Sequence, residues 1–268
     1  MKLTILGTGN AAVCEYYNTC FAITDEAGKR HFLIDGGGGN RILKVLKDTN
    51  IPIEDIHDIF ITHEHVDHIL GIIWLIRMIG QRMNQGKYDG ELRIYCHAEL
   101  SQKVQAIAKM TIQQKVCRHM GGRIRFDTIE NGSERMILNC PVTFFDIGST
   151  KAKQFGFTMI LDSGRKFTCI GDEPYNHLNH EFVKESDWLL HEAFCLYSEA
   201  DKFKPYEKHH STVREACQLA EELEVPNLLL YHTEETHLSE RKSLYTAEGK
   251  EYYHGNLYVP DDLEVFEI

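Results

Sequence analysis

A chain of 268 residues, 43% of them hydrophobic, is long enough to bury a substantial core in one large domain. Its 29 basic and 40 acidic side chains leave a formal net charge of −11, a field that works against unaided binding to a polyanion. The eight cysteines (Cys14, Cys20, Cys96, Cys117, Cys140, Cys169, Cys195, Cys217) form no CxxC pair, and MKLTILGTGN lacks a signal-peptide core, so buried free thiols in a cytoplasmic protein are expected.

In chain order, KLTILG, CFAIT and HFLIDGG read as short strands, and NRILKVLKDTN carries apolar residues at helical spacing. IHDIFIT is a further strand, followed by a buried helix over 67–83. The longest uncharged apolar run, 69–76, falls far short of the roughly 20 residues a membrane span needs. ELRIYC reads as a strand and 98–114 as a second long helix. RIRFDTI, NCPVTFFDI, FGFTMIL and KFTCIG make the middle a run of short strands. SDWLLHEAF is a strand, STVREACQLAEEL a helix, NLLLYHT a strand; a polar helix from Ser239 and the strands LYVP and LEVFEI close the chain. With no repeat, low-complexity tract or Pro/Ser linker, residues 1–268 read as a single α/β domain, two sheets packed face to face with helices outside.

The densest chemistry lies in ITHEHVDHILG. Side chains two apart on an extended chain point the same way, so His63 and His65 face together and Glu64 faces away. Asp67 and His68 follow at the turn into the helix, giving H-x-H-x-D-H: two imidazoles for one metal, a carboxylate and an imidazole for its neighbour. Zinc and similar ions accept such nitrogen and oxygen donors. A helical HExxH site is excluded, because Asp67 stands four residues after His63. The alternative for any one of these histidines is a surface loop residue. Three at this spacing between two apolar elements point to metal.

On these residues the chain resembles the metallo-β-lactamase-fold hydrolases, most closely their ribonuclease Z-like branch. MKLTILGTGNA, FLIDGGGG with Asp35, ITHEHVDHILG, CIGDEP, SDWLLHEAF, KHHSTVREACQLA and LLLYHTE match that family's elements in order. The resemblance implies an αββα four-layer sandwich. It places Asp172 as the metal-bridging carboxylate, His232 as the last metal ligand, Glu192 on the Asp-to-His-Glu-Ala strand and His210 at the His-Ser-Thr element. With His63 and His65 on one ion, Asp67, His68 and His232 on the other and Asp172 between them, two divalent ions, zinc or manganese, would lie about 3.5–4 Å apart and activate water to hydroxide for attack on phosphorus. His210 then suits a general acid or electrostatic role, and Glu192 a partner for a ring N–H. Each has a plainer reading: Asp172 a turn residue, His232 a satisfied core histidine, His210 a neighbour of an N-cap at Ser211 or Thr212. His191, His209 and His237 are expected at the surface or behind the ligands.

The sequence departs from the family in two places. Gly148, Ser149 and Thr150 stand where a histidine ligand belongs, which weakens the first metal site; His177 and His180 are the nearby substitutes. Only 24 positions separate Gly148 from Asp172, too few for the arm with which ribonuclease Z grips precursor tRNA. Lysine and arginine are not clustered as long RNA requires. The expected activity is therefore a metal-dependent phosphodiesterase on a small phosphodiester or nucleotide-type substrate, in a cytoplasmic protein with no membrane partner and, by resemblance, a homodimer. The alternatives are a ribonuclease Z-like RNA endonuclease, with nucleic acid disfavoured as partner, or a metal-binding member of the fold with weak or no catalysis. A thiolester hydrolase is a further possibility within the fold; a redox member would need a flavin module. LGTGNAA imitates a dinucleotide fingerprint, but VCEYYNTCFAIT reaches the next strand without room for a crossover helix.

Overall fold

Apolar runs such as HFLI and NLLLY are buried on every or nearly every residue, as strands covered on both faces must be. The computed structural model describes residues 1–268 and divides them into two units: residues 1–7, 17–130 and 263–268 in the first, residues 8–16 and 131–262 in the second.

The first unit is built on β1 (Lys2–Gly7), β2 (Cys20–Thr24), β3 (His31–Ile34), β4 (Ile56–Phe60), β5 (Leu92–Cys96) and β6 (Ile124–Thr128), with the C-terminal strand Val265–Glu267 pairing antiparallel to β1. β1, β2 and β3 are antiparallel, whereas β3 to β6 run parallel. Three helices, α1 (Arg41–Asp48), α2 (Val66–Asn84) and α3 (Ala98–Thr111), share its core. Leu92, Ile94 and Cys96 of β5 face that core with Ile72, Leu75, Ile76 and Ile79 of α2, while the alternate residue Tyr95 turns away to donate a hydrogen bond to Asp58 Oδ1 at 2.8 Å. α3 stops at Thr111, three residues short of the sequence reading. Ile112 is extended (φ −108°, ψ 146°), and a separate turn of helix, α4 (Gln114–Cys117), follows.

The glycine run after β3 has a packing reason. The Gly36 N–H donates to the His68 carbonyl and the Gly71 N–H to the Gly37 carbonyl, both at 2.9 Å. A Cβ on Gly71 would lie 1.7 Å from the Gly36 oxygen, so the first turns of α2 rest on this loop backbone to backbone. That contact fixes the start of α2, which carries Asp67 and His68.

In the second unit β7 (Ser133–Ile137), β8 (Cys140–Asp146), β9 (Phe155–Ile160) and β10 (Lys166–Cys169) form an antiparallel meander. β11 (Trp188–Glu192), β12 (Asn227–Tyr231) and β13 (Asn256–Tyr258) continue it in parallel. Besides two short helices, α5 (His180–Val183) and α6 (Ala200–Phe203), it carries α7 (Val213–Glu222) and α8 (Arg241–Gly249). Val213, Ala216, Cys217 and Ala220 of α7 pack with Leu189, Leu228 and Leu230 of the sheet. α7 opens with the Thr212 N–H donating to Glu215 at 2.9 Å, half of a capping box, so of the two expected N-caps, Ser211 and Thr212, it is Thr212 that caps the helix. The polar helix expected from Ser239 begins as a 3₁₀ turn and becomes α-helical at Arg241. β7, with its exposed and half-buried residues, had no apolar signature to announce it.

All eight cysteines are free; Cys14 is exposed and Cys117 half-buried, and the other six are buried as expected. No helix is long and apolar enough to cross a membrane.

Candidate metal centre

In the first unit β4 ends at Phe60, and the chain stays extended through His65, which lies at φ −64°, ψ 150° immediately before α2. The extended course puts His63 and His65 on one side: His63 Nε2 and His65 Nδ1 stand 2.8 Å apart. Glu64 turns the other way and pairs with Lys103. His63, Asp67 and His68 are buried and His65 is exposed.

Asp35 organises the cluster from the end of β3. It occupies the left-handed region (φ 57°), an unusual backbone for a residue with a side chain. Its Oδ1 accepts the Thr62 N–H at 2.9 Å, and its Oδ2 accepts the Thr62 hydroxyl and meets His68 Nδ1, both at 2.7 Å. An ionised carboxylate only accepts, so His68 Nδ1 carries the proton and Nε2 keeps the lone pair, 3.3 Å from Asp67 Oδ2. Two converging imidazole nitrogens, a third imidazole held in one tautomer and an adjacent carboxylate are donors suited to a divalent metal ion.

The second unit presents its own group. Asp172 follows β10 and Gly171, whose φ of 83° gives a turn that only glycine makes cheaply. Asp172 Oδ2 lies 3.6 Å from His232 Nε2, and its Oδ1 accepts from the Gln154 amide at 2.5 Å. His232, one residue past β12, is a second side-chain-bearing residue at positive φ (59°). The His210 ring is 5.2 Å from the His232 ring and stacks on Phe194 at 5.1 Å and 11°. Glu192, the last residue of β11, is fully buried; its Oε1 accepts the Ser211 N–H, and its Oε2 lies 3.5 Å from His210 Nδ1. Burial depresses the His210 pKa, but the adjacent Glu192 carboxylate and then Asp172 outweigh it, and the net direction is upward.

Residues 1–250 match the model of the family described as Anti-Pycsar protein Apyc1. The chain belongs to that family. Its fold is the metallo-β-lactamase fold, and ribonucleases Z are among the proteins it is similar to. Among its relatives is a ribonuclease Z of Enterococcus faecalis, 23% identical over 313 aligned positions that cover 100% of this chain and 97% of the relative. Among solved structures, the metallo-beta-lactamase fold protein YhfI of Bacillus subtilis superposes with a TM-score of 0.79 at 18% identity, over 99% of this chain and 98% of that one. A diphosphatase of the PhnP family superposes with a TM-score of 0.75 at 14% identity, over 100% and 97% of the two chains.

This Apyc1-family chain has no imidazole at the departure noted in its sequence. Gly148 lies at φ 74°, and the Ser149 hydroxyl donates to Glu173 at 2.6 Å, so the segment is an ordinary polar turn. The two suggested substitutes, His177 and His180, are exposed; His177 meets Tyr175 edge-on, and His180 Nδ1 lies 3.3 Å from the Tyr175 hydroxyl. The buried group that does reach Asp172 from this side is Gln154, whose place in KAKQF gave no signal in the sequence.

Of the three unassigned histidines, His209 is exposed at a positive φ of 54° and His237 is half-buried against Glu199. His191 is not at the surface, the first of the two expected places: it is 1% exposed, with Nδ1 donating to the Glu192 carbonyl at 2.6 Å. Burial lowers its pKa, against the opposing pull of Glu192. The unfolded ring titrates near 6.5. Below that pH the unfolded chain binds a proton that the folded chain refuses, so stability present above about pH 6.5 is lost as the pH falls. Urea midpoints measured from pH 7.5 to 5 are expected to fall in the native chain, and His191→Asn, which retains a donor without the titration, should flatten that slope.

Proposed function

We propose that the chain is a metal-dependent phosphodiesterase acting on a small phosphodiester of nucleotide type. His63 and His65 would hold one divalent ion, Asp67, His68 and His232 the other, with Asp172 shared. The observation that carries this reading is the 2.8 Å convergence of His63 Nε2 and His65 Nδ1 beside a His68 whose tautomer Asp35 dictates. The bound ions would supply Lewis acidity and lower the pKa of water. The protein's own part is then to present unprotonated nitrogens, through Asp35 on His68, and to keep a proton near the leaving oxygen. His210 suits that second task, since Glu192 and Asp172 favour its charged form and Phe194 holds its ring plane.

The preference for a small substrate rests on what the chain lacks. The alignment with the Enterococcus faecalis ribonuclease Z needs 313 positions for 268 residues here, so that relative carries segments absent from this chain. β8 ends at Asp146 and β9 begins at Phe155, β9 ends at Ile160 and β10 begins at Lys166, and neither connection is long enough for an arm. The net charge of −11 adds to the case against a long polyanion. Zinc as the favoured ion with manganese as substitute, a cytoplasmic location and a homodimer belong to the same reading and rest on the resemblance.

A mononucleotide contains a phosphodiester only when its phosphate is cyclised, so cyclic mononucleotides are the smallest nucleotide probes of this activity. The zinc- or manganese-loaded chain, assayed on cyclic mononucleotides and on precursor tRNA, is expected to hydrolyse the former and leave the latter intact. Cleavage of precursor tRNA alone would establish the endonuclease instead, and a folded, metal-loaded chain inert to both would make it a metal-binding member of the fold.

A further inference from the structure

Glu199, Glu234 and His237 of the second unit form a separate donor cluster. Glu199 lies in the loop after β11, and Glu234 and His237 lie in the loop after β12. One ligand atom from each falls within 4.8 Å of the others, and Glu199 Oε2 is 2.7 Å from His237 Nε2. An exposed trio of this kind would be an ion pair and nothing more.

Glu234 makes it different. It is 4% exposed; its Oε2 accepts the Thr236 N–H at 2.5 Å, and its buried Oε1 has no hydrogen-bond partner. Leaving a carboxylate oxygen without a donor away from water is costly. The buried cation of this unit, Arg241, turns its two terminal nitrogens elsewhere, to Thr8 at 3.1 Å, Thr233 at 2.7 Å, Asp261 at 3.1 Å and the Pro260 carbonyl, while its buried Nε makes no hydrogen bond, to Glu234 or to any other acceptor. Lys202 reaches the cluster only through Glu199 Oε1, at 3.2 Å, leaving Oε2 to His237. The buried thiol of Cys195 is pushed up to about 12, first by burial and then by the charges of Glu234, Glu192, Glu199 and Glu248.

We infer that Glu199, Glu234 and His237 bind a divalent cation of the zinc class, separate from the ions of the proposed catalytic centre. Two carboxylates and an imidazole provide three protein ligands, and the half-buried rim formed by Glu199 and His237 leaves room for water to complete the shell. The cation would satisfy Glu234 Oε1 and link the two loops, which already meet where the Glu234 N–H donates to the Phe194 carbonyl at 2.8 Å. Its role is to brace the segment after His232 against the segment whose Phe194 stacks on His210. The site does not depend on the phosphodiesterase reading.

The test uses zinc itself. Zinc per chain is measured by elemental analysis after saturation and dialysis, in the native protein and in His237→Ala and Glu199→Gln, whose side chains lie at the rim and outside the proposed catalytic centre. Both variants are expected to hold one ion fewer per chain than the native protein. In crystals of the native chain soaked in zinc, anomalous scattering at the zinc edge is expected to place a peak among the three side chains. That second measurement decides the matter should a variant fail to fold. Unchanged zinc content in both folded variants, or soaked crystals with no peak at this position, would overturn the inference and leave the trio as a hydrogen-bonded ion pair.

Discussion

Replacing Asp172 by asparagine is expected to lower hydrolysis of a cyclic mononucleotide by about a thousandfold or more while the chain stays folded. Lewis-acid stabilisation by bound ions is worth several kcal/mol, and each 1.4 kcal/mol is a factor of ten in rate. Asparagine preserves the shape of the side chain and a contact for the Gln154 amide, but it removes the charge that a shared ligand must bring. The loss should appear in kcat together with a fall in bound metal. A variant that keeps its activity would mean that Asp172 is the plain turn residue its position after Gly171 also allows. His63→Ala combined with His65→Ala removes the converging ring nitrogens and should reproduce the loss.

The second large effect concerns His210. Removing a general acid typically costs 10²–10⁴-fold, and His210→Ala is expected to lose about that much in kcat with its metal content unchanged. We propose that Glu192, whose Oε2 lies 3.5 Å from His210 Nδ1, acts through it as a positioning residue. Glu192→Gln should cost about 10–100-fold, within the range for residues that orient a functional histidine. The pH profile separates this from mere structural damage. Because Glu192 helps to raise the pKa of His210, the protonated ring persists to higher pH in the native chain. Glu192→Gln should therefore move the alkaline fall in activity to lower pH. A uniform loss with an unmoved profile would assign Glu192 to structure alone, through the Ser211 N–H that its Oε1 accepts.

The cluster in ITHEHVDHILG was legible because its donors are neighbours in sequence, and an extended chain fixes which of them share a side. His63 and His65 meet and Glu64 leaves for Lys103, as alternation requires. Most strands were legible for a similar reason: apart from β7, they are short apolar runs, and in β5 alternate residues divide between faces, as Tyr95 and its neighbours do. What could not be read depends on contacts between distant residues. Asp35 holds His68 across 33 positions, and Gln154 holds Asp172 across 18. The positive φ of Asp35 and His232 has no signature in composition, since glycine is the usual occupant of that region. His191 reads in sequence as one more polar residue of the strand WLLHE; only the closing of the core around it buries the ring and lowers its pKa. The end of α3 at Thr111 and the 3₁₀ turn before α8 are boundary effects that periodicity does not resolve.

Metal-dependent hydrolysis of a small phosphodiester is the activity proposed for this chain. The most direct test is turnover of a cyclic mononucleotide by chain stripped of metal with a chelator, with folding followed by circular dichroism, before and after zinc or manganese is added back. The stripped chain is expected to remain folded and inactive and to recover its turnover when the ion returns. Turnover that survives complete removal of metal, or a folded and fully loaded chain with none, would contradict the proposal.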